Sequence, residues 1–191
     1  ETFELDLRTF DTSSCTDFEK MFYYNTKVSK LILDSFDTKK AVYTQDMFYS
    51  CSNLTELNLS NFDTSSVTNM NSMFNSCSKL TGVNLSSFDT SKVTEMYYMF
   101  LGCSSLTELD LRHFDTSKAG SFRQMFAGCS QLKKLDLSSF DTSNVRYMNQ
   151  MFSGCSALEE LHISTFDTSR VDRMNHMFQG CSSLKTLDVR H

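Results

Sequence analysis

The stretch LTELNLSNFDTSSVTNMNSMFNSCSK, residues 54–79, decides the fold. In its first part Leu57 and Leu59 alternate with Glu56, Asn58 and Ser60. A period of two predicts a short strand with one buried face. From Val67 the spacing changes: Val67, Met70, Met73, Phe74 and Cys77 follow at steps of 3, 3, 1 and 3, which predicts one apolar stripe on a helix of roughly three turns. Asp63-Thr64-Ser65 stands at the junction, and all three side chains accept hydrogen bonds from free N–H groups at a helix start.

The same pattern recurs along the whole chain. Phe10, Phe36, Phe62, Phe88, Phe114, Phe140 and Phe166 are 26 residues apart throughout, as are Phe22, Phe48, Phe74, Phe100, Phe126, Phe152 and Phe178. Those two columns hold 14 of the 17 phenylalanines, so the composition is the repeat. Gly102, Gly128, Gly154 and Gly180 fall where a left-handed residue would end each helix, with Ser50 and Ser76 in the earlier units. One strand and one helix per unit cannot bury both apolar faces alone, whereas stacked copies can. The expected fold is therefore an α/β solenoid over residues 1–191: a right-handed, leucine-rich-repeat-like stack of about seven units, each with one short parallel strand and one short helix. Helices are about 10 Å wide and strands about 4.8 Å apart, so the sheet is expected on the concave side of an arc.

Composition excludes other classes. The 191 residues carry a net charge of −5, which disfavours a nucleic-acid backbone binder. No run approaches the ~20 apolar residues of a membrane-spanning helix, so no membrane insertion is expected.

The unit L-x-x-L-x-L-S-x-F-D-T-S-x-V-T-x-M-x-x-M-F-x-G-C-S resembles the 26-residue repeat of the BspA-like bacterial surface proteins across essentially the whole chain. The L-x-x-L-x-L portion is similar to the strand of leucine-rich repeats, although Phe62 stands where those usually place asparagine. The resemblance implies an extracellular or cell-surface adhesin that contacts a host or matrix protein or glycan. The 191 residues then read as a piece of a longer surface protein.

Little points to catalysis or to a cofactor. His113, His162, His176 and His191 fall in no common register, and no nucleophile or metal-ligand motif occurs, so neither an enzyme nor a metal or cofactor site is expected. Cys51, Cys77, Cys103, Cys129, Cys155 and Cys181 form a column, with Cys15 apart. Stacked cysteines point the same way, too far apart for a disulfide, and predict a buried thiol ladder. The aspartate of each FDTS supplies too few of the roughly six to eight oxygens that calcium takes, and reads as a cap.

The outward strand positions differ from unit to unit, which is where binding specificity would lie. Asp6, Asn58, Asn84, Glu108, Asp110, Arg112, Lys134, Asp136, Glu160 and His162 form the candidate concave face, with Arg112 and Lys134 within reach of Asp110 and Asp136. Its outward columns run on to Asp188 and Arg190. Tyr23, Tyr49, Tyr97, Tyr98 and Leu101 form an alternative patch on the outer, helical side. The expected function is a binding module, with a passive stalk as the alternative.

Overall fold

The structure, a computed structural model, describes residues 1–187 and Val189. Asp188, Arg190 and His191, which include two of the outward strand positions, lie outside the described residues. Each unit makes one coil, and successive coils stack in register. On one face β1 (Phe3–Asp6) pairs in parallel with β2 (Val28–Ile32). On the same face β3 (Lys134–Asp136), β4 (Glu160–His162) and β5 (Thr186–Leu187) form a second parallel sheet. Leu5 lies opposite Leu31, and Leu135 opposite Leu161, one repeat apart. Between the two sheets the ladder thins to the single bridges Lys30–Glu56 and Asn58–Asn84.

No described residue is helical, which corrects the expected helix in each repeat. The Val-to-Cys segment forms tight turns in which alternate N–H groups reach the next coil, while those between them close turns within their own, as Cys77 does to the Phe74 carbonyl at 3.1 Å. Phe48 donates to the Met73 carbonyl at 2.9 Å, Phe74 to Met99 at 2.9 Å, Phe100 to Met125 at 2.9 Å and Phe126 to Met151 at 3.0 Å. Two left-handed residues per coil forbid a continuous helix, for example Ser72 (φ 53°) and Ser76 (φ 60°). Parallel bridges Tyr43–Asn69, Asn69–Glu95 and Ser121–Tyr147 mark this second, turn face. Steps of 3, 3, 1 and 3 are met by turns as well as by a helix, and the same side chains still point inward. The concave sheet loses its basis, since no wide helices splay the other side.

The interior is a set of one-residue columns. From Phe22 to Phe178 successive rings stack at 5.4 to 5.8 Å with interplanar angles of 2° to 9°. Met70, Met73, Met96, Met99, Met125 and Met151 are fully buried around them. The other phenylalanine column is buried from Phe36 to Phe166, whereas Phe10, in the first coil with no coil before it to cover it, is 50% exposed.

Polar atoms run in columns as well. The Asp of each FDTS caps no helix; its carboxylate accepts the amide two residues on, as Asp89 does from Ser91 at 2.9 Å. The adjacent threonine is buried and bonds between coils. Thr38 Oγ1 donates to the Asp63 carbonyl at 2.9 Å and accepts the Asp63 amide at 2.8 Å. Thr64, Thr90, Thr116 and Thr142 donate likewise. This hydroxyl column does the work of an internal asparagine ladder. The cysteine column is unbridged and buried from Cys51 to Cys155, as its spacing predicts, with Cys181 only partly covered, and each thiol donates to a phenylalanine carbonyl one coil back, as Cys103 does to Phe74 at 3.1 Å. Burial pushes the Cys51 and Cys155 thiols up to about 12.

Candidate functional site

On the strand face a groove of about 1070 Å³ runs across the central coils. It lies where strand pairing lapses. The Thr107 amide donates to the Thr81 carbonyl at 3.1 Å, but among the described residues no backbone bond joins 107–111 to 133–137. Val83 and Leu109, each only partly covered, line it together with Leu31 and Leu57. Gly82 contributes no side chain where the neighbouring coils carry Glu56 and Glu108, and a Cβ there would meet only Glu108, at 3.9 Å.

The lining is balanced in charge: Lys30, Arg112, Lys133 and Lys134 against Glu56, Glu108, Asp110 and Asp136. Asn58, Asn84, Glu108, Asp110, Arg112, Lys134 and Asp136 of the expected face meet here. Asp6 lies in the first coil, where Arg8 binds it at 2.5 Å and holds its carboxyl down at about 2. Arg112 chelates Asp110 through Nε at 2.9 Å and Nη2 at 2.8 Å, as its spacing predicts, and depresses that carboxyl further. Lys134 pairs with Glu160 at 2.8 Å instead of with either aspartate, which raises the Lys134 pKa. His162 Nδ1 lies 3.9 Å from Asp136, one coil beyond the groove.

Part of this column is structural. Asn58, Asn84, Asp110 and Asp136 accept the amides of Ser60, Ser86, Arg112 and Ser138 at 3.0 to 3.1 Å, closing the turn after each strand segment. Among the described residues, the rim side chains that make no hydrogen bond or ion pair are those of Lys30, Glu56, Glu108 and Lys133. Lys30, Glu56 and Lys133 were not among the expected site residues; the alternation placed Lys30 and Glu56 outward, but nothing in a single repeat marks where the stack opens.

The turn face divides the aromatic patch. Tyr23, Tyr24 and Tyr49 form one cluster, with centroids 4.8 to 5.6 Å apart. Tyr97 and Tyr98 form a separate pair at 5.1 Å, and Leu101 follows Asn75 in the column of Tyr23 and Tyr49. These residues sit on turns, not on the helices expected for them. A second groove, of about 870 Å³, lies beside Tyr98 and Tyr147.

The histidines are dispersed. His113 Nε2 lies 2.9 Å from the Leu85 carbonyl, with its ring edge-on to Phe114. Among the described residues no three His, Cys, Asp or Glu side chains are grouped to hold a metal, and no helix is long and apolar enough to cross a membrane.

One coil per 26 residues, a continuous core and two open faces define a repeat solenoid. The chain belongs to the family described as "Mycoplasma protein of unknown function, DUF285", which matches residues 1–79, 51–135 and 102–190. Among solved structures it is similar to the T. pallidum leucine rich repeat protein TpLRR, at 16% identity and a TM-score of 0.38, over 87% of this chain and 70% of that one. A leucine-rich repeat protein from Bacteroides ovatus ATCC 8483 matches at 16% identity and a TM-score of 0.26, over 98% of this chain and 66% of that one. No curated protein matches.

Proposed function

We propose that the chain is an adhesion module displayed on a bacterial surface, and that it grips an extended segment of a host or matrix protein along the strand-face groove. The observation that carries this reading is the interrupted strand ladder over an apolar floor. Residues 107–111 and 133–137 leave backbone donors and acceptors unpaired with each other beside the apolar floor, and the backbone of an extended peptide lying along the groove can bond to them. The balanced rim suits a polypeptide of mixed charge better than a polyanion. The resemblance of the repeat to BspA-like proteins supports the surface location. Binding in place of catalysis is supported by the dispersal of the histidines.

The test is binding of the intact chain to a panel of immobilised matrix proteins. Lys30→Glu and Glu108→Lys reverse rim charges without touching a turn bond, and each is expected to weaken binding about tenfold. Replacing Tyr23 and Tyr49 should leave it unchanged. Absence of binding at micromolar concentration would favour a passive stalk.

A further inference from the structure

We infer that the turn face carries a second, independent site: a notch at Gly120 and Ser121 that takes a sugar bearing a carboxylate. This does not rest on the strand-face groove.

The notch is a defect in an otherwise regular ladder. Met70 donates to the Glu95 carbonyl at 2.9 Å, and Phe122 to Tyr147 at 2.9 Å. The equivalent bond between them, from Met96 to the Ser121 carbonyl, is missing among the described residues, as is the bridge from Glu95 to Ser121. Gly120 removes a side chain at the same level, and a Cβ built there meets nothing within 4 Å. Neighbouring coils carry Thr94 and Arg146 at this position. The result is a recess of about 870 Å³, room enough for a small oligosaccharide.

Its chemistry is unlike that of the rest of the surface. Arg123, Arg146 and Arg173 line it against one carboxylate, Glu95, in a chain whose net charge is −5. Arg146 is paired with Asp172 at 3.0 Å. Arg123 and Arg173 make no ion pair among the described residues; each guanidinium lies over a tyrosine instead, 5.3 Å from the Tyr98 centroid and 6.0 Å from that of Tyr147. Two forked donors with no anion suit a carboxylate. Glu95 is half-buried, burial pushes its carboxyl up, and among the described residues its side chain makes no hydrogen bond or ion pair, so it is free to exchange hydrogen bonds with hydroxyls. Tyr98 and Tyr147 add flat apolar walls on which the C–H face of a pyranose can lie. An acid group, several hydroxyls and a flat apolar face together describe an acidic sugar.

The probes are sialyllactose, trigalacturonate, lactose and a hexaglutamate peptide, titrated calorimetrically against the whole chain. Both acidic sugars should bind saturably, at least about tenfold tighter than lactose or the peptide. Arg173→Ala and Arg123→Gln should each weaken that binding about tenfold, and Gly120→Trp should abolish it, while Glu108→Lys on the strand face leaves it intact. Melting curves identify any variant that fails to fold, and the two arginine variants carry the test if Gly120→Trp does so. Lactose binding as tightly as the acidic sugars, the peptide binding equally well, no acidic sugar binding at millimolar concentration, or indifference to both arginine changes would each overturn the site.

Discussion

At the residue scale, what holds the coils in register is buried hydroxyl and thiol chemistry as much as apolar packing. The hydroxyl of Thr90 is 2.9 Å from the Asp115 carbonyl, in a residue only 2% exposed. Thr90→Val keeps the shape and leaves that carbonyl without a donor, so we expect a loss of about 1–3 kcal/mol by urea unfolding. Thr55 makes a similar bond, to the Ser29 carbonyl at 3.3 Å, but at an exposed position where water can replace it. Thr55→Val should therefore stay within about 0.5 kcal/mol of wild type. A second residue-scale prediction concerns the thiols. Cys15 is exposed while Cys51, Cys77, Cys103, Cys129 and Cys155 are buried, with their pKa values raised above the ordinary 9.0. Native protein at about pH 8 should react with a thiol reagent at Cys15 first, and the five buried thiols should react only on unfolding. A folded pKa above the unfolded value means that the folded state keeps protons the unfolded chain gives up. Stability is then full below pH 9.0 and falls as pH rises toward about 12, which melting temperatures across that window would register.

At the scale of the element, the strand half of the repeat was legible and the helix half was not. Leu57 and Leu59 are buried between exposed neighbours, as their alternation predicts. Val67, Met70, Met73, Phe74 and Cys77 are buried too, so the inward set was read correctly and only its backbone was misassigned. Apolar spacing reports which side chains face in; it cannot say whether an amide bonds four residues back or to the next coil. One column of left-handed residues was visible through Gly102 to Gly180, where a helix end would look the same. The other, Lys20, Asp46, Ser72, Tyr98, Gln124, Gln150 and His176, contains no glycine and leaves no mark in the sequence. The strain this implies is testable at Ser50, where φ is 56°. Ser50→Gly relieves about 1–2 kcal/mol of left-handed strain against about 0.5–1 kcal/mol of added chain entropy, so it should raise stability slightly. Gly154→Ala, at φ 77° and with its new Cβ 3.5 Å from the Gly128 backbone nitrogen, should lower it by about 1–3 kcal/mol. Circular dichroism lacking a helical double minimum would check the element itself.

At the scale of the whole molecule, the two faces of the stack are not equally bound. The turns around the phenylalanine column are tied to their neighbours at every level from Phe22 to Phe152, whereas the strand face is paired at both ends and open across the middle. The strand-face groove, which spans residues 81–84 and 107–111, falls in this open middle, and the turn-face notch at Glu95 and Ser121, where one bridge of the turn-face ladder is missing among the described residues, lies in the same central coils. The outward-varying positions could be read from the sequence, but the gap depends on Gly82, Gly120 and Ser121 acting against their neighbours one coil away, a relation no single unit displays. Hydrogen exchange separates the two faces. Amides of Phe74, Phe100 and Phe126, bonded across coils beneath the stacked rings, should open only with the whole stack, while those of residues 108–111 should exchange on the order of a hundredfold faster through local opening. A guest strand adding to the groove would supply partners for those amides and slow them selectively, leaving the phenylalanine column unchanged. Equal protection on the two faces of the free protein would mean that the strand ladder is closed in solution, and the groove would then have no unpaired edge to offer.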